Sequence, residues 1–154
     1  MVAFGKIIPR LSLPLPRASE YVLLPAQDKI ANIYSSCDVW MCSSKEEGFG
    51  LPVLEAMACR CPVVSTAIGG PMDFLTNGLE GFIVPVGDAD AIARVLEKVL
   101  TMPEPAWLEM SDAAYAKATS YTWNDAADRF EVALKALQQS NITESTTLQS
   151  AASG

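Results

Sequence analysis

The chain has 154 residues, half of them apolar and 19% charged, and its 11 basic and 18 acidic side chains give a formal net charge of −7. This composition is typical of one globular domain and excludes a chain that is disordered throughout. The acidic balance argues against a nucleic-acid partner, and the sequence has neither an apolar run long enough for a transmembrane segment nor the pattern of a signal peptide.

Histidine is absent, which removes the most frequent general base and the most frequent zinc ligand. The four cysteines are Cys37, Cys42, Cys59 and Cys61, and the last two have C-x-C spacing rather than the C-x-x-C spacing of redox and zinc motifs. We therefore expect no metal site and no cofactor. Small buried thiols in a reducing compartment are the simplest interpretation, which predicts a cytoplasmic protein.

Short apolar runs alternate with helical patterns along the chain. Residues 2–4 are compatible with a strand, and four further strands are predicted at 21–24, 38–42, 62–66 and 81–84. Predicted helices cover 28–36, 52–59, a short stretch that follows Gly69-Gly70-Pro71 and ends at Leu75, and then 88–100, 107–119 and 123–138. Strands that are apolar on both faces and separated by helices predict an α/β fold, with a doubly wound, Rossmann-like parallel sheet covered by helices on both faces and helices at the C-terminus.

Three regions are predicted from this pattern. Residues 1–20 contain several prolines and form an irregular segment, residues 21–139 form the Rossmann-like domain, and the Ser/Thr-rich residues 140–154 form a disordered tail.

The stretch from Ser44 to Ala58 has the strongest chemical pattern. Glu47 and Glu55 flank a Gly48-Phe49-Gly50 loop that follows a predicted strand and opens a helix. Glycine allows close approach to the backbone, free amides at a helix start attract anions, and a carboxylate can accept hydrogen bonds from a ribose diol. A tight turn and a favourable helix dipole would explain the same residues without a ligand. Gly69 and Gly70 open the next helix at the same edge of the sheet, where they either line the cleft or form a plain turn.

The run from Glu47 to Ala58, together with Pro62-Val-Val, Gly69-Gly70 and Gly81-Phe-Ile-Val-Pro, resembles the C-terminal, donor-binding domain of retaining glycosyltransferases of the GT-B fold, in the large family four (glycosyl transferases group 1). The resemblance implies that Glu55 binds the nucleotide ribose and that Glu47 contacts the transferred sugar. It also implies that Gly48, Phe49, Gly50 and Leu51 meet the sugar and the diphosphate, and Ser44 is added as a cleft-lining candidate. Glu47 is the one catalytic candidate, and no general base is assigned.

The sequence departs from this family in three ways. Arg60 stands where family members commonly have glycine, which predicts an altered turn after the helix. The first strand of the family's C-terminal domain is absent; because that strand is central, its loss predicts two unpaired strand edges inside the sheet. Between Asp38 and Asp90 there are two basic and eight acidic residues, 2 − 8 = −6, so a nucleotide diphosphate would meet a repulsive field.

The resemblance therefore predicts an incomplete GT-B half that binds a nucleotide-diphosphate sugar for transfer to an acceptor with retained configuration, and that is inactive alone. Its implied partners are the nucleotide sugar and an N-terminal acceptor domain, in the same chain or in another. Peripheral association of the parent enzyme with a membrane stays open. Two alternatives also stay open: a non-catalytic module that binds a nucleotide or a partner protein, and an inactive truncated remnant.

Overall fold

Five strands and six helices follow one another in the computed structural model, which describes residues 1–5 and 19–151. In chain order they are β1 (Val2–Gly5), β2 (Glu20–Leu23), α1 (Gln27–Ser35), β3 (Trp40–Cys42), α2 (Leu51–Ala58), β4 (Val63–Thr66), α3 (Gly69–Phe74), β5 (Gly81–Val84), α4 (Ala89–Thr101), α5 (Glu104–Thr119) and α6 (Trp123–Ala151). The predicted α/β fold is confirmed. The predicted irregular segment 1–20 begins with strand β1, and the rest of it up to residue 18 lies outside the described residues.

All strand pairs are parallel, but the strands form two sheets rather than the one open sheet that was expected. Strand β1 pairs with β2, and β3, β4 and β5 pair in that order. The division agrees with the prediction that the sheet lacks a central strand, because β1 and β3 each keep an edge with no strand partner among the described residues.

Strand β4 is the centre of the larger sheet, and every one of its residues is buried. Val63 packs into a core formed with α1 and α2, whereas its neighbour Val64 packs into a second core formed with β5, α4 and α5. Successive side chains of a strand point to opposite faces, so the two cores cover both faces of the sheet. This arrangement explains why β4 reads as a continuous apolar run.

Helix α2 ends in a left-handed turn at Arg60, whose φ is +61°. The Arg60 amide donates to the Met57 carbonyl at 3.0 Å, and the Cys61 amide donates to the Ala56 carbonyl at 3.0 Å. These are the two hydrogen bonds of a Schellman motif, which glycine usually completes. The expected alteration of this turn is not seen in its hydrogen bonds; the chain forms the motif with arginine in the position where glycine is least strained.

Helix α5 is joined to the loops at the amino ends of β3 and β4. The Trp107 Nε1–H donates to the Asp38 carbonyl at 2.8 Å, just before β3. The Ser111 hydroxyl donates to the Arg60 carbonyl at 2.7 Å, just before β4. The Arg60 side chain also pairs with Asp112 and lies over the Tyr115 ring, 4.3 Å from its centroid. This rim of the sheet is therefore anchored by side chains.

The chain divides into two units, Met1–Ala118 and Thr119–Gly154. The second unit consists mainly of α6, which continues to Ala151 and so covers most of the segment that was predicted as a disordered tail from residue 140. Differences in helix propensity among Ser, Thr, Gln and Glu are small, so the loss of an apolar face at residue 140 does not by itself end a helix. Residues 152–154 lie outside the described residues. In the described part of the chain, no helix is both long enough and apolar enough to cross a membrane.

Candidate functional site

The predicted binding loop lies at the carboxyl end of β3, between that strand and α2. Its last residue, Gly50, is the N-cap of α2 and has left-handed dihedrals of φ +79° and ψ +39°. Ligands of open α/β folds bind in the crevice at the carboxyl ends of the strands. The structure thus places the loop at the edge where this fold class binds ligands.

Helix α3 begins against the same loop. The Gly70 amide donates to the Gly48 carbonyl at 2.8 Å. A Cβ at Gly70 would lie 1.9 Å from the Phe49 carbonyl oxygen, and one at Gly69 would lie 2.1 Å from the Glu47 carbonyl oxygen. The two glycine segments singled out in the sequence therefore touch through their backbones, and these two glycines are required by the close approach rather than by a tight turn alone.

One hydroxyl group holds the Glu47 carboxylate, and a second holds the backbone of the residue that supplies the first. The Ser44 hydroxyl donates to Glu47 Oε1 at 2.8 Å, and the buried Thr66 hydroxyl donates to the Ser44 carbonyl at 2.6 Å. Thr66 is the last residue of β4, so the neighbouring strand fixes the segment that carries Ser44. The second oxygen of the Glu47 carboxylate has no partner among the described residues and is free to accept a hydrogen bond from a hydroxyl of a ligand.

Glu55 is held from the opposite side by a residue of α1. The buried Tyr34 hydroxyl donates to Glu55 Oε2 at 3.3 Å. Burial, and then the charge of Glu55, raise the pKa of Tyr34 well above its ordinary value, so the phenol remains a donor at neutral pH. Glu55 itself is exposed, and its Oε1 atom has no hydrogen-bond partner among the described residues.

The site is an exposed surface rather than a closed cavity. Phe49 and Leu51 are 53% and 59% exposed, and nothing in the described structure approaches the Cα side of Gly48 where a side chain would stand. The amides of Val53 and Leu54 both donate to the Gly50 carbonyl, and the Leu51 amide at the start of α2 has no acceptor among the described residues. Two grooves of about 370 and 430 Å³ lie elsewhere, and neither is lined by a predicted site residue.

Two residues of this arrangement were not singled out in the sequence. Tyr34 lies in the predicted helix 28–36 and Thr66 in the predicted strand 62–66, and neither was given a role in the site. The signal for Thr66 is its position as a hydroxyl residue at the carboxyl end of a strand that is otherwise apolar. Nothing in the spacing indicates that Tyr34 contacts Glu55, because 21 residues separate them.

The site has few positive charges. Of the two basic residues between Asp38 and Asp90, Arg60 lies at the opposite rim, where it pairs with Asp112. Lys45 is exposed in the loop itself. Over residues 1–5 and 19–151, no three His, Cys, Asp or Glu side chains are grouped closely enough to hold a metal ion.

Comparison with known proteins gives consistent matches. A sequence model of the family described as "Glycosyl transferases group 1" matches residues 18–119. A curated relative, the D-inositol 3-phosphate glycosyltransferase of Mycolicibacterium paratuberculosis, is 34% identical over 140 residues, which cover 90% of this chain and 31% of that relative. The chain therefore spans about a third of the length of such relatives.

Solved structures show the same likeness. The sucrose-phosphate synthase of Thermosynechococcus elongatus is 27% identical with a TM-score of 0.67, covering 79% of this chain and 31% of that one. Anabaena Alr3699/HepE, solved in complex with UDP-glucose, is 25% identical with a TM-score of 0.62, covering 68% of this chain and 28% of that one.

Proposed function

The chain belongs to the glycosyl transferases group 1 family, and we propose that it is the donor-binding part of a glycosyltransferase that uses a nucleotide-diphosphate sugar. The observation that carries the proposal is the pair of carboxylates at the loop between β3 and α2. Each is held by one hydroxyl donor and retains an oxygen for a ligand. The likeness to a protein solved with UDP-glucose supports this class of donor.

Each site residue has a proposed role. Glu55 accepts hydrogen bonds from the ribose diol, Glu47 accepts one from a hydroxyl of the transferred sugar, and the backbone from Gly48 to Leu51 meets the sugar and the diphosphate. Ser44 orients Glu47 through the 2.8 Å hydrogen bond, and Gly69 and Gly70 allow α3 to approach the loop. Positioning of the donor and stabilisation of the departing diphosphate are the effects on which such transfer depends.

Transfer to an acceptor, with retained configuration, is proposed for the parent enzyme and not for residues 1–154 alone. An acceptor domain, in the same chain or in another, would supply the other wall of the cleft and the positive charge that the donor edge lacks. We place the protein in the cytoplasm, which agrees with its free cysteines.

Calorimetric titration with UDP, UDP-glucose and uridine tests the donor site. Glu55→Gln is expected to weaken the binding of UDP and of uridine about tenfold, because a hydrogen bond to a charged acceptor becomes one to a neutral acceptor. Glu47→Gln is expected to weaken the binding of UDP-glucose but not the binding of UDP, because the proposed contact of Glu47 is to the sugar.

Glu46→Gln is the matched control, since Glu46 is an exposed carboxylate in the same loop and its change removes the same charge. Equal dissociation constants for the Glu55 and Glu46 variants would refute the assignment of Glu55 to the ribose. Absence of heat with any nucleotide, for the wild-type chain, would refute donor binding by residues 1–154.

A further inference from the structure

Tyr34 is a buried polar residue to which the proposed function gives no role. The residue is only 1% exposed, yet its hydroxyl lies 3.3 Å from Oε2 of Glu55, an exposed residue of the neighbouring helix. Buried hydroxyl groups usually have a hydrogen-bond partner, and any buried acceptor would serve that need. The partner of Tyr34 is the carboxylate that the proposed function assigns to the ribose, which connects a core residue to the donor site.

The Tyr34 ring is fixed by its aromatic neighbours. The rings of Tyr34 and Trp40 meet edge to face, with centroids 4.9 Å apart and planes at 82°. The rings of Tyr34 and Phe4 meet in the same way, at 5.6 Å and 79°. Tyr34 also packs in one core with Val53 and Ala56 of α2. Edge-to-face contacts favour one orientation of a ring, so the hydroxyl oxygen of Tyr34 has a fixed position.

The Glu55 side chain depends on this one contact for its position. Within residues 1–5 and 19–151, the Tyr34 hydroxyl is the single hydrogen-bond donor to the Glu55 carboxylate. A free glutamate side chain populates many rotamers, and ordering it when a ligand binds costs free energy. The hydrogen bond from Tyr34 orders the carboxylate before the ligand arrives, so this cost falls on folding and not on binding.

The same hydrogen bond also has an opposing effect, because a donor withdraws charge from the carboxylate and weakens it as an acceptor. The distance of 3.3 Å is longer than the roughly 2.5–3.0 Å of ordinary O–H···O hydrogen bonds. Water also reaches Glu55, since that residue is exposed, and water would solvate the second oxygen if Tyr34 did not. The loss of acceptor strength is therefore small, and the effect on position is the larger of the two.

We propose that Tyr34 is a positioning residue for recognition of the ribose: its hydroxyl holds the Glu55 carboxylate so that Oε1 faces the two ribose hydroxyls of the donor. This role rests on the proposed function, because it requires that Glu55 binds the ribose. Tyr34 is buried and acts only through Glu55. A nucleotide that lacks the two ribose hydroxyls should therefore be insensitive to the Tyr34 hydroxyl.

Calorimetric titration of the full chain with UDP and with 2′,3′-dideoxy-UDP tests the proposal. The second ligand keeps the base and both phosphates and lacks only the two ribose hydroxyls. The measured quantity is the dissociation constant of the dideoxy form divided by that of UDP, which we call the ribose preference. Partial unfolding of a variant, or a change in its net charge, affects both ligands alike and cancels in this ratio.

Tyr34→Phe keeps the ring and removes the hydroxyl, and it is expected to lower the ribose preference about threefold, as the ordering of one flexible side chain requires. Glu55→Ala is expected to lower it at least about tenfold. In the Glu55→Ala background, Tyr34→Phe should have no further effect, since no carboxylate is left to position. Tyr115→Phe is the matched control, because Tyr115 lies beside Arg60 at the opposite rim, and it should keep the wild-type ribose preference.

The role of Tyr34 would be overturned, with the proposed function intact, if Glu55→Ala lowered the ribose preference and Tyr34→Phe did not. It would also be overturned if Tyr34→Phe weakened UDP and the dideoxy form equally, as a merely structural role would, or if it lowered the preference further in the Glu55→Ala background. An unchanged preference in Glu55→Ala, or no binding of UDP to the wild type, would refute the proposed function and the role of Tyr34 with it.

Discussion

Arg60 is the residue whose side chain and backbone have opposing effects on stability. Its left-handed backbone costs about 1 kcal/mol for a residue with a Cβ. Its side chain pairs with Asp112 and lies over Tyr115, and exposed interactions of these kinds contribute at most about 1 kcal/mol each. We conclude that the side-chain contacts approximately offset the backbone strain.

Substitution at position 60 separates these two effects. Arg60→Ala loses the side-chain contacts and keeps the strain, while Arg60→Gly loses the contacts and relieves the strain. The glycine variant is expected to be more stable than the alanine variant by about 1 kcal/mol in urea unfolding. At the exposed Ala93 of helix α4 the order should reverse, with Ala93→Gly less stable than wild type by about 1 kcal/mol. If glycine were less stable than alanine at position 60 as well as at position 93, the turn at Arg60 would not be strained.

Cys61 provides a prediction for the dependence of stability on pH. Burial, and then the charges of Cys37, Cys59 and Asp38, raise the pKa of the Cys61 thiol from 9.0 to about 12. Between these values the unfolded chain loses the proton while the folded chain keeps it, so the free energy of unfolding falls as pH rises. We expect the free energy of unfolding, measured with urea in reducing buffer, to fall less steeply between about pH 9 and about pH 10 for Cys61→Ala than for wild type.

At the scale of elements, the contact between the binding loop and α3 depends on backbone proximity. A methyl group at Gly70 would lie 1.9 Å from the Phe49 carbonyl oxygen, whereas one at Gly48 would meet nothing within 4 Å. Gly70→Ala is therefore expected to lower the free energy of unfolding by about 1–3 kcal/mol and to displace the loop, while Gly48→Ala changes it by less than about 0.5 kcal/mol. Thermal unfolding of both variants measures the difference, and equal melting temperatures would exclude the close approach.

The elements themselves were largely predictable from the sequence. The apolar run at 62–66 and the glycine at position 81 place β4 and β5 correctly, because a strand buried on both faces has a distinctive composition. The unpaired edges were also predicted, since the resemblance identified which strand is absent. The end of α6 was not predictable from apolar periodicity, because a helix can continue without a buried face.

The details of the site were less predictable than its position. The segment around Glu47 and Glu55 is visible as a motif, but the hydroxyl that contacts Glu55 belongs to Tyr34 of α1, and the hydroxyl that holds the Ser44 carbonyl belongs to Thr66 of β4, each more than 20 residues away in sequence. Hydrogen bonds of this kind depend on how the helices and strands pack against one another, which cannot be deduced from the spacing of residues in one sequence. The proposed ligand contacts of the carboxylates therefore stay predictions.

For the whole molecule, the net charge of −7 determines how salt should affect nucleotide binding. A diphosphate approaches a surface with few cations, so screening should favour its binding. Raising NaCl from about 20 to about 200 mM shortens the Debye length from roughly 20 to below 10 Å, and the dissociation constant for UDP should decrease. Uncharged uridine serves as the control and should show little change in calorimetric titration. Weaker UDP binding at high salt would instead reveal a cationic cluster at the diphosphate position.

The hydrogen bonds from α5 lie at the amino ends of β3 and β4, on the rim opposite the proposed donor site. The amino ends of β3 and β4 are thus held by α5, and the residues that would contact a substrate take no part in these hydrogen bonds. Changes on the substrate side consequently leave these two hydrogen bonds in place. This separation of support from recognition makes the fold a suitable platform for redesigning the proposed donor site, provided that Trp107 and Ser111 are left intact.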